Sequence, residues 1–106
     1  MTPDEFVALL GRTKATAILR TSDPGAAGPA MDAAIRGGFR IVEFTLNTPG
    51  ALDRIEEFAG RRGVVVGAGT VLSVADARNA VARGASFLVS PVMDGEIIRE
   101  GLDLGV

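Results

Sequence analysis

Hydrophobic positions along the chain switch repeatedly between a helical and an extended period, and the switches are evenly spaced. Phe6, Leu9 and Leu10 form an apolar stripe behind Thr2, Pro3 and Glu5, a capping box with proline at the first helical position, so a helix is expected there. A strand is expected over 15–20. Beyond Ser22-Asp23-Pro24, the residues Ala26, Ala27, Ala30, Met31, Ala34 and Ile35 fit a helix that stops at Gly37-Gly38 and starts at Pro24 or at Pro29. Residues 40–46 read as the second strand. The helix after it takes Thr48 as its N-cap, Pro49 as its first residue and Leu52, Ile55, Phe58 and Ala59 as its apolar face. Val64, Val65 and Val66 form a short third strand that ends in Gly67-Ala68-Gly69-Thr70, and Ser73 with Asp76 caps a helix running to Arg83-Gly84. A fourth strand over 87–90 stops at Pro91. Asp94 then caps a last helix through Ile97, Ile98 and Leu102, with Gly105 as its stop.

The strands begin near residues 15, 40, 64 and 87, in steps of 25, 24 and 23 that each hold one strand, one loop and one helix. This is a βα repeat. Ile35-Arg36-Gly37 and Ala82-Arg83-Gly84 also resemble each other at an offset of 47, either as traces of duplication or because Arg-Gly commonly stops a helix. Four βα units in series imply a parallel sheet with right-handed crossovers, and two architectures fit: an open doubly wound sheet, or half of a (β/α)8 TIM barrel. Residues 40–46 favour the barrel. They alternate Val42, Phe44 and Leu46 against Ile41, Glu43 and Thr45, and a barrel holds polar groups on its inner face where a strand between two helical layers does not. With helices on the outer face alone, Ile41, Glu43 and their neighbours are expected to be wet unless another chain or further strands close over them. The whole of 1–106 is expected to be one domain.

Of 106 residues, 47% are hydrophobic and 23% charged, with 11 basic and 13 acidic side chains spread along the chain and a net charge of −2. Disorder is excluded, and no basic stripe exists to neutralise phosphates, so no nucleic acid partner is expected. No apolar run approaches the roughly 18 to 20 residues needed to span a bilayer, and Met1-Thr2-Pro3-Asp4 does not open a secretory signal, so a cytoplasmic protein with no membrane partner is expected. Cysteine and histidine are absent. Thiolate catalysis, cysteine metal sites, zincin motifs and imidazole bases are thereby removed, which leaves carboxylate, hydroxyl, arginine and lysine chemistry. Lysine occurs once, as Lys14.

Glu43 carries the sharpest signal, because a carboxylate within an apolar strand costs on the order of several kcal/mol if ionised and unpaired. Desolvation raises its pKa toward neutrality, which suits a general acid/base; the alternative is a buried ion pair with Arg20. Arg20 closes the first strand, where it could bind substrate anions or stand solvated. Gly67-Ala68-Gly69-Thr70 leaves two glycines and a hydroxyl at a third strand end, either a backbone cradle for a carboxylate or phosphate or a tight turn. Asn47 and the Ser90-Pro91 corner complete a ring of polar positions at successive strand ends.

Ala17-Ile18-Leu19-Arg20, Val42-Glu43-Phe44-Thr45-Leu46-Asn47-Thr48-Pro49, Val66-Gly67-Ala68-Gly69-Thr70-Val71-Leu72 and Val89-Ser90-Pro91 together resemble the successive strand ends of the 2-keto-3-deoxy-6-phosphogluconate and phosphogalactonate aldolases. The resemblance covers nearly the whole chain and the first half of the family's. It implies a class I aldolase on a (β/α)8 barrel, without metal or cofactor, assembled as a homo-oligomer, typically a trimer. Such enzymes cleave a phosphorylated 2-keto-3-deoxy sugar acid to pyruvate and glyceraldehyde 3-phosphate, and many act on 4-hydroxy-2-oxoglutarate.

By position, the resemblance implies that Glu43 is the acid/base, that Thr70 with Gly69 holds the keto-acid carboxylate, that Pro91 lines the same pocket, and that Arg20 stands at its rim. Asn47 departs from the phosphogluconate enzymes, which usually have arginine there, and is closer to the phosphogalactonate type. The family's Schiff-base lysine lies on the sixth strand, beyond Val106. Lys14 precedes the first strand, at the opposite end of the barrel, roughly 17 to 20 Å from the end that bears Glu43 at about 3.3 Å per residue, and cannot form the imine there. The 106 residues alone are therefore expected to be inactive. Three readings follow: the first half of a complete aldolase, an inactive half-barrel that pairs with another copy, or a small-anion binding module.

Overall fold

The computed structural model describes residues 1–106. Its elements run α1 (Pro3–Thr13), β1 (Ala17–Leu19), α2 (Pro24–Arg36), β2 (Ile41–Thr45), α3 (Ala51–Ala59), β3 (Val65–Gly69), α4 (Val74–Ala82) and α5 (Gly95–Leu104). The strands form one parallel sheet in the order β1-β2-β3. Three helix starts follow local chemistry: the Thr2–Glu5 capping box opens α1, Ser73 accepts from the Asp76 N–H to open α4, and Asp94 accepts from Glu96 and Ile97 to open α5. Of the two prolines that could begin α2, Pro24 does, behind an Asp23 cap, and Pro29 lies inside the helix.

Three expectations about the elements are corrected. Thr48 does not cap α3: the helix starts at Ala51 behind Gly50, with no side-chain cap, because the Thr48 hydroxyl is turned inward and buried. Residues 87–90 do not form a strand comparable to the other three. They run beside β3 through Ala68→Phe87 and Val89→Ala68 backbone bonds and a single parallel bridge of Ala68 to Leu88. The third strand also extends through the Gly67-Ala68-Gly69 turn signal rather than stopping before it.

The main core lies between the sheet and α2–α5. Val42, Phe44, Val66 and Ala68 point into it and meet Ala27 and Met31 of α2, Ile55 and Phe58 of α3, Ala77 and Ala80 of α4, and Ile97 of α5. Phe44 and Phe58 meet edge to face, their centroids 5.2 Å apart. Outside this layer, guanidiniums tie neighbouring helices: Arg61 to Asp32, Arg83 to Asp53 and Glu56, and Arg78 to Glu100.

The other face of the sheet, which α2–α5 leave uncovered, is dry along β2. Ile41 is 0% exposed, Glu43 4% and Thr45 1%, so the wet inner face expected at β2 is not found. Phe87 covers the middle of this face, opposite Glu43. Gly67 has no side chain, and the Phe87 ring fills that space so closely that a Cβ on Gly67 would lie 2.5 Å from ring carbons. Phe6 of α1 stacks on this ring with centroids 4.5 Å apart, which places α1 on the face opposite α2–α5. Exposure persists at the β1 edge, where Ile18 is 65% exposed.

Candidate active site

Parallel strands end at one side of the sheet, and four of the residues singled out from sequence gather there. Arg20 follows β1 directly, Glu43 lies within β2, Gly69 ends β3, and Thr70 follows it. The Arg20 guanidinium donates to the Thr70 hydroxyl at 3.0 Å, across residues fifty apart in sequence. Arg20 and Glu43 form no direct ion pair, although the Arg20 charge acts on the carboxyl. Glu43 instead leans over β3: a Cβ on Gly69 would collide with its Oε1, so glycine is required there for the carboxyl to take its place.

Burial pushes the Glu43 carboxyl above its ordinary value, and the Arg20 positive charge opposes that shift without cancelling it. The result is an acid that holds its proton more firmly than a solvated glutamate does. Thr70 has φ +57°, in the left-handed region where a β-branched residue is strained. Such strain is kept where the surrounding structure enforces it, and here it sits beside the guanidinium and the carboxyl.

Asn47 and Pro91 share the strand-end side of the sheet but open elsewhere. Asn47 lines a cavity of about 460 Å³ with Asp53, Asp76, Asn79 and Arg83, between the start of α3 and the length of α4. Pro91 lines a larger, apolar cavity of about 600 Å³ between α1, residues 86–93 and α5. Neither cavity contains Glu43 or Thr70. Lys14 ends α1, before β1 begins, at the opposite end of the sheet from Thr70.

The region also holds features that the sequence reading did not predict. The Thr45 and Thr48 hydroxyls lie 3.0 Å apart and buried, and the Phe87 ring lies against Gly67 beside Glu43. A Thr-x-x-Thr spacing across a strand end is the one signal for the first. Glycines two apart, facing a phenylalanine on the next run, are the signal for the second.

Residues 7–106 match the family model described as KDPG and KHG aldolase. The chain belongs to this aldolase family. Its relatives include the 2-dehydro-3-deoxy-phosphogluconate aldolase of Zymomonas mobilis, 38% identical over 80 residues that cover 76% of this chain and 38% of that protein. A solved native KDPGal structure superimposes with a TM-score of 0.77 at 32% identity, covering 86% of this chain and 45% of that one. The KDPG aldolase from Legionella pneumophila, solved with pyruvate captured as a covalent carbinolamine intermediate, superimposes with a TM-score of 0.72 at 30% identity, covering 82% of this chain and 43% of that one. The chain thus spans roughly two-fifths of the length of the relatives it matches. No helix is long and apolar enough to cross a membrane.

Proposed function

We propose that residues 1–106 are one domain that supplies α1 and the first four βα units of a (β/α)8 barrel, and that the complete protein is a Schiff-base aldolase. Its substrate is a 2-keto-3-deoxy-6-phospho sugar acid, and its products are pyruvate and glyceraldehyde 3-phosphate. One observation carries the reading: a buried carboxyl with a raised pKa at a parallel strand end, facing a guanidinium–hydroxyl pair. The carbinolamine in the Legionella relative supports it, because such an adduct needs an amine and a positioned proton carrier.

In this reading an amine from chain beyond these residues condenses with the C2 ketone and expels water. Glu43, as carboxylate, takes the C4 hydroxyl proton. The C3–C4 bond then breaks, its electron pair moves into the iminium to form an enamine, and C4 leaves as the aldehyde. Glu43 returns the proton to C3, and water hydrolyses the imine to pyruvate and free amine. A carboxyl buried enough to hold a proton and close enough to Arg20 to lose it serves both directions. Gly69 and Thr70 hold the keto-acid carboxylate, Arg20 fixes the rim, and Asn47 and Pro91 extend the surface toward the rest of the substrate. A homo-oligomer is part of this proposal, while the exposed Val92, Met93, Ile98 and Leu102 beside the apolar cavity are left for the units that follow in the barrel.

Borohydride trapping with pyruvate tests it. The chain alone should give no stable adduct, and the chain co-expressed with the remaining length of a curated relative should give a pyruvyl adduct on the relative's portion. A trapped adduct on Lys14 would overturn the reading.

A further inference from the structure

Arg20 stands just past the last residue of β1, where no strand ladder holds the backbone, and its side chain is exposed with a single 3.0 Å bond to Thr70. A long cation so placed spreads over many rotamers unless something fixes its base. We propose that Thr45 and Thr48 are positioning residues, whose two buried hydroxyls clamp the peptide units on both sides of Arg20 and aim its guanidinium at Thr70 and toward Glu43. This deepens the aldolase reading and rests on it for the clamp's purpose, while its geometry stands independently.

The bonds run one way. The Thr45 hydroxyl donates to the Leu19 carbonyl at 3.4 Å, so its only proton is committed. Thr48 must therefore donate across the 3.0 Å contact to Thr45, and it accepts from the Thr21 N–H at 3.3 Å. The Leu19 carbonyl belongs to the peptide that enters Arg20, and the Thr21 N–H to the peptide that leaves it. Both outer links are long, so neither holds the strand end alone, but together they bracket φ and ψ at Arg20. Thr45 is 1% exposed and Thr48 2%, so water cannot replace these bonds without opening the turn after β2. The same commitment explains why Thr48 leaves the start of α3 without a side-chain cap.

Carbon-13 titration of the Glu43 carboxyl, assigned by difference from Glu43→Gln, reads the aim of Arg20 in the chain itself. Neither β3 nor residues 86–90 carry a titratable side chain, and Arg20 is the charge that acts on Glu43. Arg20→Met should raise the Glu43 midpoint. Thr48→Val, which keeps the shape and removes the hydroxyl, should reproduce most of that rise, and Thr48→Ser should titrate as the unmodified chain does. A wild-type midpoint in Thr48→Val beside a raised one in Arg20→Met would overturn the clamp, and so would an unmoved midpoint in Arg20→Met. If Thr48→Val does not fold, amide exchange of the unmodified chain decides: Thr21 should be protected although it lies beyond the strand, and exchange at the free-peptide rate would refute the proposal. No substrate enters these measurements, so a failed pyruvate trap would remove the clamp's catalytic purpose without touching them.

Discussion

Residues 41–45 and 86–90 are both short runs with large apolar side chains that lie parallel to β3, and the fold treats them differently. The first is a strand buried at all five positions. The second makes one bridge, with Phe87 6% exposed and Val89 41%. Their partners differ more than their sequences do. β2 has strands along both edges, whereas 86–90 has β3 on one side and the apolar cavity on the other. Extended structure is set by what packs alongside as much as by the run itself. The one side chain of 86–90 that is firmly held, Phe87, is the one that reaches across Gly67 to the face bearing Glu43.

The largest expected effect separates the two regions by stability. Phe44→Ala empties a fully buried ring site against Phe58 and should cost about 3 to 5 kcal/mol, whereas Leu88→Ala, at a half-buried edge position, should cost about 1 to 2 kcal/mol. Urea unfolding of both variants measures the gap. Equal losses would mean that 86–90 is as firmly part of the core as β2.

Glu43 is next in size. In the complete enzyme Glu43→Gln should lower kcat by about 10²-fold or more, with a smaller change in KM, because it keeps the shape and removes the titrating proton. The same variant has a stability signature in this chain. The folded state holds the Glu43 proton above the ordinary 4.5, so that contribution is complete below 4.5 and is lost as pH climbs through the raised folded value. Thermal midpoints of the chain and of Glu43→Gln should therefore agree best near the acid end and diverge toward neutral pH, where the variant is the more stable. A gap that does not open with rising pH, or a variant less stable than the chain at neutral pH, would contradict the desolvated carboxyl.

Gly67→Ala joins the two regions. Its Cβ would meet the Phe87 ring at 2.5 Å, so the ring, and the Phe6 stacked on it, must shift. An overpacking cost of about 1 to 3 kcal/mol is expected, together with a changed near-ultraviolet signal. An unchanged signal and stability would show that Phe87 is not seated on Gly67.

Much of this was legible in the sequence because it depended on local chemistry. The capping residues Thr2, Ser73 and Asp94 act within three positions of themselves, and the helices that they open start where expected. Glu43 stood out because a carboxylate in an apolar strand contradicts its surroundings. The inner face was misjudged at β2 because Phe87 and Phe6, distant in the chain, meet over it, whereas Ile18, opposite Glu43 on β1, is exposed as expected. Thr48 was misassigned for a similar reason: a threonine before Pro49 fits an N-cap locally, and its partners Leu19, Thr21 and Thr45 are supplied by tertiary structure.

The smallest effect distinguishes where the two regions open. Ser73 and Asp94 cap α4 and α5 in the same way, each accepting a backbone N–H of the first helical turn. Replacing either with alanine should cost about 0.5 to 2 kcal/mol, since the lost bond is similar in kind. The losses should nevertheless appear in different places under native-state hydrogen exchange. α4 packs through Ala77 and Ala80 into the core shared with β2 and β3, so Ser73→Ala should speed exchange in all the units that unfold with the sheet. α5 reaches that core through Ile97, while Ile98 and Leu102 are 51% and 64% exposed. Asp94→Ala should therefore speed exchange in α5 and residues 86–90 and leave the β2 amides near their original rates. Acceleration in β2 equal to that in α5 would show that the fourth unit opens together with the first three, and the contrast between the two strand runs would then concern geometry alone.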